Sequence, residues 1–211
     1  YWKLIYLVNI MSVYKKIKEF ILGKDIRYIW EQLATERNGI LKSESGDLFI
    51  EYSHSDFYFK IKGHTHYITS GGKTYKKKYI IGIVQFVNTT KLELCITKED
   101  MLTKILKMFN KKDISIKNKD FDTKYFLKSN YEYKATSILK NDNLLNKIIS
   151  LNPDRLEITN KDGLFDEIPN EGKHMLYFAK QGKLKTIDQL NQIHSLLNNF
   201  IEILKNNYSI H

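Results

Sequence analysis

The sequence predicts an α+β fold: antiparallel sheet in two loosely similar halves, packing helices, and a long C-terminal helix. Three observations carry this. Short runs rich in β-branched and aromatic residues, separated by turn signals, fill the first half and recur in the second. In each half, strand-like runs precede segments with apolar residues at helical spacing. The last such segment holds Leu190, Ile193, Leu197, Phe200, Ile201 and Leu204 in one stripe.

The 211 residues suit one domain, 12–211, with lobes expected at 24–110 and 111–208. Residues 1–11 read as a non-native or flexible extension, because Met11-Ser12 looks like a start. Leu4–Tyr14 is apolar but shorter than the roughly 20 residues a membrane helix needs. If residues precede it, it reads as the tail of such a helix, with Lys15 and Lys16 on the cytoplasmic side. Val13, Ile17, Phe20 and Ile21 predict a helix up to Gly23. A second follows, capped by Asp25, striped by Ile26, Ile29, Trp30 and Leu33, and stopped at Asn38-Gly39. Strands are expected at Leu48–Tyr52, Phe57–Ile61, His64–Thr69, Tyr79–Val87 and Lys91–Thr97, as a meander. Glu99–Asn110 reads as a helix.

The second half opens with Ile114–Ile116, a turn at Asn118-Lys119-Asp120, and Tyr125–Leu127, read as strand, turn, strand. Phe121 is expected to plug the core beneath the turn, with Asp122 bonding to nearby backbone. Asn130 is the expected cap of a helix over Tyr131–Leu151, ended by Pro153. Strands at Arg155–Thr159 and Met175–Ala179 flank a loop with Gly163 and Pro169. Thr186 and Gln189 form a capping box for the last helix.

Hydrophobic content of 42% with only two prolines excludes a disordered chain. The single Cys95, in an apolar run, excludes an internal disulfide framework and a multi-cysteine zinc site, and reads as a core thiol. Net charge is +10, mostly lysine, which admits an anionic partner: nucleic acid or a lipid surface.

Candidate chemistries fall away on spacing. Gly71-Gly72-Lys73-Thr74 resembles the end of a P-loop, but Tyr67 stands where the first glycine belongs, and a strand follows instead of a helix. A hairpin turn explains the glycines better. His64 and His66 share one strand face and form half of a zinc site, which His54 or Asp56 would have to complete. Asp113, Asp120 and Asp122 read as turn residues and not as a metal site. Gly71–Tyr79 carries Lys73, Lys76, Lys77 and Lys78 with two tyrosines, an anion-binding candidate that lacks arginine.

From about Thr103 to Leu204 the chain resembles an uncharacterised bacterial family, a domain of unknown function. Its D-I-x-I, F-D-x-x-[FY] and K-x-N pattern stands here as Asp113-Ile114-Ser115-Ile116, Phe121-Asp122-Thr123-Lys124-Tyr125 and Lys128-Ser129-Asn130. Asn152-Pro153, Leu156-Glu157-Ile158 and Leu176-Tyr177-Phe178 running to Gly182 continue it. Trp30-Glu31-Gln32-Leu33-Ala34 and His64-Thr65-His66 match more weakly. Tyr125 stands where Phe is usual, and Lys112 where Gln or a small residue is. The resemblance implies a fold and a bacterial, cytoplasmic origin. The family has no assigned activity or catalytic residues, so there are none to carry over.

The expectation is therefore a soluble cytoplasmic, non-catalytic binding module without a cofactor. The alternatives are a domain held at the inner face of the cytoplasmic membrane by its N-terminal segment, and an enzyme whose site assembles only in three dimensions.

Overall fold

The computed structural model describes residues 26–98, 113–208 and 210–211. Eight strands form one sheet: β1 (Ile40–Glu44), β2 (Asp47–His54), β3 (Phe57–Ser70), β4 (Lys73–Phe86), β5 (Leu94–Lys98), β6 (Tyr125–Ser129), β7 (Arg155–Thr159) and β8 (His174–Gln181). Their spatial order is β1-β2-β3-β4-β8-β7-β5-β6, and every neighbouring pair is antiparallel. Five helices lie among the described residues: α1 (26–36), α2 (Lys119–Asp122), α3 (Glu132–Leu139), α4 (Asp142–Leu151) and α5 (Ile187–Tyr208). The fold is α+β, and its strands from the two halves of the chain interleave. β8 enters between β4 and β7, and β5 lies between β7 and β6.

Alternation along each strand separates two faces. On one, the register aligns Tyr52, Phe59, Val84, Leu176, Ile158 and Leu94 across six strands, all buried. The helices cover this face. The α5 stripe read from the sequence is fully buried, joined by Leu196 and His194. Each buried leucine or phenylalanine contributes about 1.5–3 kcal/mol, against helix propensities below ~1 kcal/mol per residue, so docking and not propensity holds α5. The closest approach is at Gly82 of β4, where a Cβ would lie 2.7 Å from Leu197 Cδ1 and 3.2 Å from Ile193 Cγ2. Thr186 and Gln189 form the expected box: Gln189 N donates to Thr186 Oγ1 at 3.3 Å, and Gln189 Oε1 accepts from Thr186 N at 3.4 Å.

Several boundaries differ from the sequence reading. The two strands expected at 57–61 and 64–69 are one 14-residue strand, because Gly63 stays in the ladder opposite Ile80, with Trp30 of α1 above it. The run at Lys91–Thr97 is not the end of a meander but starts β5 at the far side of the sheet. Ile114–Ile116 forms no strand; Ile114 N bonds to Leu127 O, and Asp113 Oδ1 takes Leu127 N. The turn at Asn118 closes into the short α2, with Asn118 Oδ1 accepting Phe121 N at 3.1 Å. The single helix expected over Tyr131–Leu151 is broken, because extended Asn141 caps α4 by accepting Leu144 N at 3.0 Å. Asn130 is no cap: its side chain joins Glu93 N and Lys91 O, tying the start of α3 to the loop before β5. Residues 1–25 and the helix expected at 99–110 lie outside the described residues.

Phe121 is fully buried and packs on Tyr125 at 5.1 Å, while Asp122 accepts Ile116 N at 3.1 Å and Ser115 Oγ at 2.8 Å. Phe121→Ala should therefore destabilise by about 3–5 kcal/mol in urea melts, the range for a buried phenylalanine. Asp122→Asn, which keeps one acceptor oxygen, should cost less than about 1 kcal/mol. Equal losses would contradict this division of roles.

Candidate functional site

β3 and β4 run past their neighbours. At the Thr65–Lys78 pair the ribbon is still tied on both edges: Asp47 accepts Thr65 N and Oγ1 at 3.0 Å each, and Gly182 N donates to Lys78 O at 2.8 Å. Beyond that pair, among the described residues, 66–77 pair only with each other, a two-stranded ribbon roughly 17 Å long before its turn. Gly71 and Gly72 make the turn with φ of 56° and 72°, the left-handed pair that two-residue hairpins require. This fits the hairpin reading and not a phosphate loop.

Residues 65–78 contain no Asp or Glu. Period two divides the cations and rings between both faces. Lys73, Tyr75 and Lys77 share one face with His66, and Tyr67, Lys76 and Lys78 share the other. All four lysines are exposed, as are Tyr67 and Tyr75 at 59% and 54%. Lys76 Nζ stands 5.4 Å from the Tyr67 ring. The sequence candidates Lys73, Lys76, Lys77 and Lys78 thus come together on one projecting element, in two rows.

His64 and His66 do share a face, with ring centroids 6.3 Å apart. Their neighbour is apolar: Phe165, from the loop 160–173, lies 4.5 Å from His64, 5.2 Å from His66 and 4.6 Å from Tyr79. Burial, then the Lys62 charge, lowers the His64 pKa, with Asp47 opposing. His54 sits at the other end of β2 on the opposite face, 5.0 Å from His194. Asp56 is 94% exposed, near Lys205. Neither completes a metal site with His64 and His66, and no group of three or more His, Cys, Asp or Glu suited to a metal occurs among the described residues. Asp122 accepts from Ile116 N and Ser115 Oγ, Asp113 Oδ1 accepts from Leu127 N, and Asp120 is exposed.

Sequence reasoning missed the polar middle of the open sheet face. Register sets Lys128, Cys95, Glu157 and Tyr177 side by side across β6, β5, β7 and β8. Glu157 is 3% exposed and accepts from Arg155 Nη2 at 2.6 Å. Burial raises its pKa, against the pull of Arg155. Burial, with the Glu157 charge, pushes the Cys95 thiol up to about 11, so it is no nucleophile near neutrality. The signal was charged Arg155 and Glu157 alternating with Leu156 and Ile158 in a strand too apolar to be an edge.

Under the helical face, Tyr52 Oη lies 2.8 Å from His194 Nδ1, and Tyr52 stacks on Phe59 at 5.3 Å. Burial, helped by Arg37 and His54, lowers the His194 pKa to about 4. Among the described residues no helix is long and apolar enough to cross a membrane. Comparison of the chain with known protein families, curated proteins and solved structures finds no match.

The fold favours neutral His194, so its contribution is complete above pH 6.5 and is lost as the pH falls through 4. Acid melts should lose on the order of 2 kcal/mol more in the parent chain than in His194→Gln across that window, since the variant has no proton to take up. Parallel pH profiles for the two chains would refute the assignment.

Proposed function

We propose that the protein is a non-catalytic binding module that engages a nucleic-acid strand through the β3–β4 ribbon. One observation carries this: the ribbon leaves the sheet with a lysine–tyrosine row on each face and no carboxylate between them. Lysines neutralise phosphates as flexible point charges, and exposed tyrosine rings offer sequence-tolerant stacking to unpaired bases. A ribbon with cations on both faces suits a strand that wraps it. The net charge of +10 adds long-range attraction.

The test is fluorescence anisotropy with a single-stranded oligonucleotide at low and moderate salt. Affinity should fall steeply with salt, with a log–log slope of roughly −0.7 per phosphate neutralised. Replacing Lys76, Lys77 and Lys78 together with Ala should flatten that slope by about 2 and leave the melting temperature unchanged. Tyr67→Ala and Tyr75→Ala should each weaken single-strand binding by about 1–3 kcal/mol. No binding at low salt, or binding indifferent to the lysines, would leave them as charges that merely protect two exposed edges from pairing with other chains.

A further inference from the structure

The open face of the sheet has a roof over part of its area. The loop 160–173, between β7 and β8, crosses it as a strap held at several points. Glu167 takes both Lys60, at 3.4 Å, and Lys62. Phe165 wedges against Tyr79 and the two histidines. Gly163 lies so close to Tyr177 that a Cβ would meet the ring at 2.8 Å. Asn170 N donates to Gln85 Oε1 at 3.2 Å, and Pro169 is buried. A strap fixed along its length is a wall.

Between this wall and the sheet lies a cavity of about 440 Å³. That is within the range of small-molecule sites, about 300–1,000 Å³. Its floor is apolar, from Ile83 and Met175, both buried. Its sides carry both signs of charge: Glu51 and Lys60 from the sheet, Glu167 and Lys173 from the strap. Three of these are already engaged. Glu51 accepts Lys42 at 2.5 Å, and Glu167 holds Lys60. Lys173 lines the cavity without a carboxylate partner among the described residues.

We propose that this cavity binds a small amphoteric molecule with an apolar side chain, a free amino acid or a dipeptide. Its carboxylate pairs with Lys173, the lining cation that has no carboxylate partner among the described residues. Its ammonium joins Lys42 and the Tyr58 hydroxyl around the Glu51 carboxylate. Its side chain lies on Ile83 and Met175. The lining thus sets Lys173 beside carboxylates that already carry cations, and a ligand with both an acidic and a basic group matches that arrangement.

The inference is independent of the ribbon, because none of the four ribbon lysines lines this cavity. The experiment is a thermal-shift screen of the full chain against the free amino acids and a set of apolar dipeptides, with acetate and ethylamine as single-charge controls. Calorimetry follows on any member that stabilises. An apolar amino acid or dipeptide should bind saturably, and neither control should. Lys173→Met and Glu51→Gln should each weaken it about tenfold or more, the loss expected for one charge-assisted hydrogen bond. Unliganded melting temperature and oligonucleotide binding should be unchanged in Lys173→Met. The proposal is overturned if no panel member binds at millimolar concentration, if acetate binds equally well, or if affinity survives Lys173→Met.

Discussion

The ladder between β4 and β8 is the contact on which both faces of the molecule rest. It runs from Tyr79–Gln181 to Phe86–His174 and joins strands almost a hundred positions apart in sequence. On one side it presents Gly82, Val84, Leu176 and Phe178 to α5, and the missing Cβ at Gly82 lets Leu197 and Ile193 reach the backbone. On the other it presents Ile81, Ile83, Tyr177 and Ala179, a smaller apolar cluster that seats Leu164 and Phe165 of the strap. Helix and strap are clamped to opposite sides of the same two strands.

That arrangement accounts for the unequal chemistry of the faces. The helical face is largely apolar and includes the Tyr52–His194 pair. Among the described residues the open face has only a strap for cover, and it carries paired lysines and glutamates, His64 and His66, and the Arg155–Glu157 pair. Glu157 Oε1, Arg155 Nε and the Tyr177 hydroxyl are buried there without hydrogen-bond partners. Such groups carry a desolvation penalty of about 1–3 kcal/mol each.

The elements legible in the sequence were those governed by local periodicity and capping. The α5 stripe, the Thr186–Gln189 box and the Gly71-Gly72 turn are each encoded within a few residues, as are the roles of Phe121 and Asp122. The helix break at Asn141 is local and was still missed, but most of what stayed hidden was set by partners distant in sequence. Gly63 reads as a break, and only Trp30 and Ile80 explain why the strand continues through it. Lys91–Thr97 reads as the next strand of a meander, yet its partners are β6 and β7. Lys128, named in the sequence only as part of the K-x-N pattern, is 5% exposed on the open face, 5.0 Å from the Phe126 ring. The ribbon lysines were visible as a cluster, whereas their division into two rows required the register. The cavity, built from β2, β3, β4, β8 and the strap, had no sequence signal.

The late position of β8 also bears on how the chain is made. β4 is complete at Phe86, but its second edge is paired only once Gln181 has been synthesised. At about 5–20 residues per second, that interval lasts on the order of 5–20 s. Throughout it the nascent chain carries an open strand containing Ile80, Ile81, Ile83 and Val84, which is a template for pairing with other chains. Three lysines stand immediately before this apolar run, at 76, 77 and 78. Positive charge flanking an apolar strand in this way disfavours its pairing with other chains.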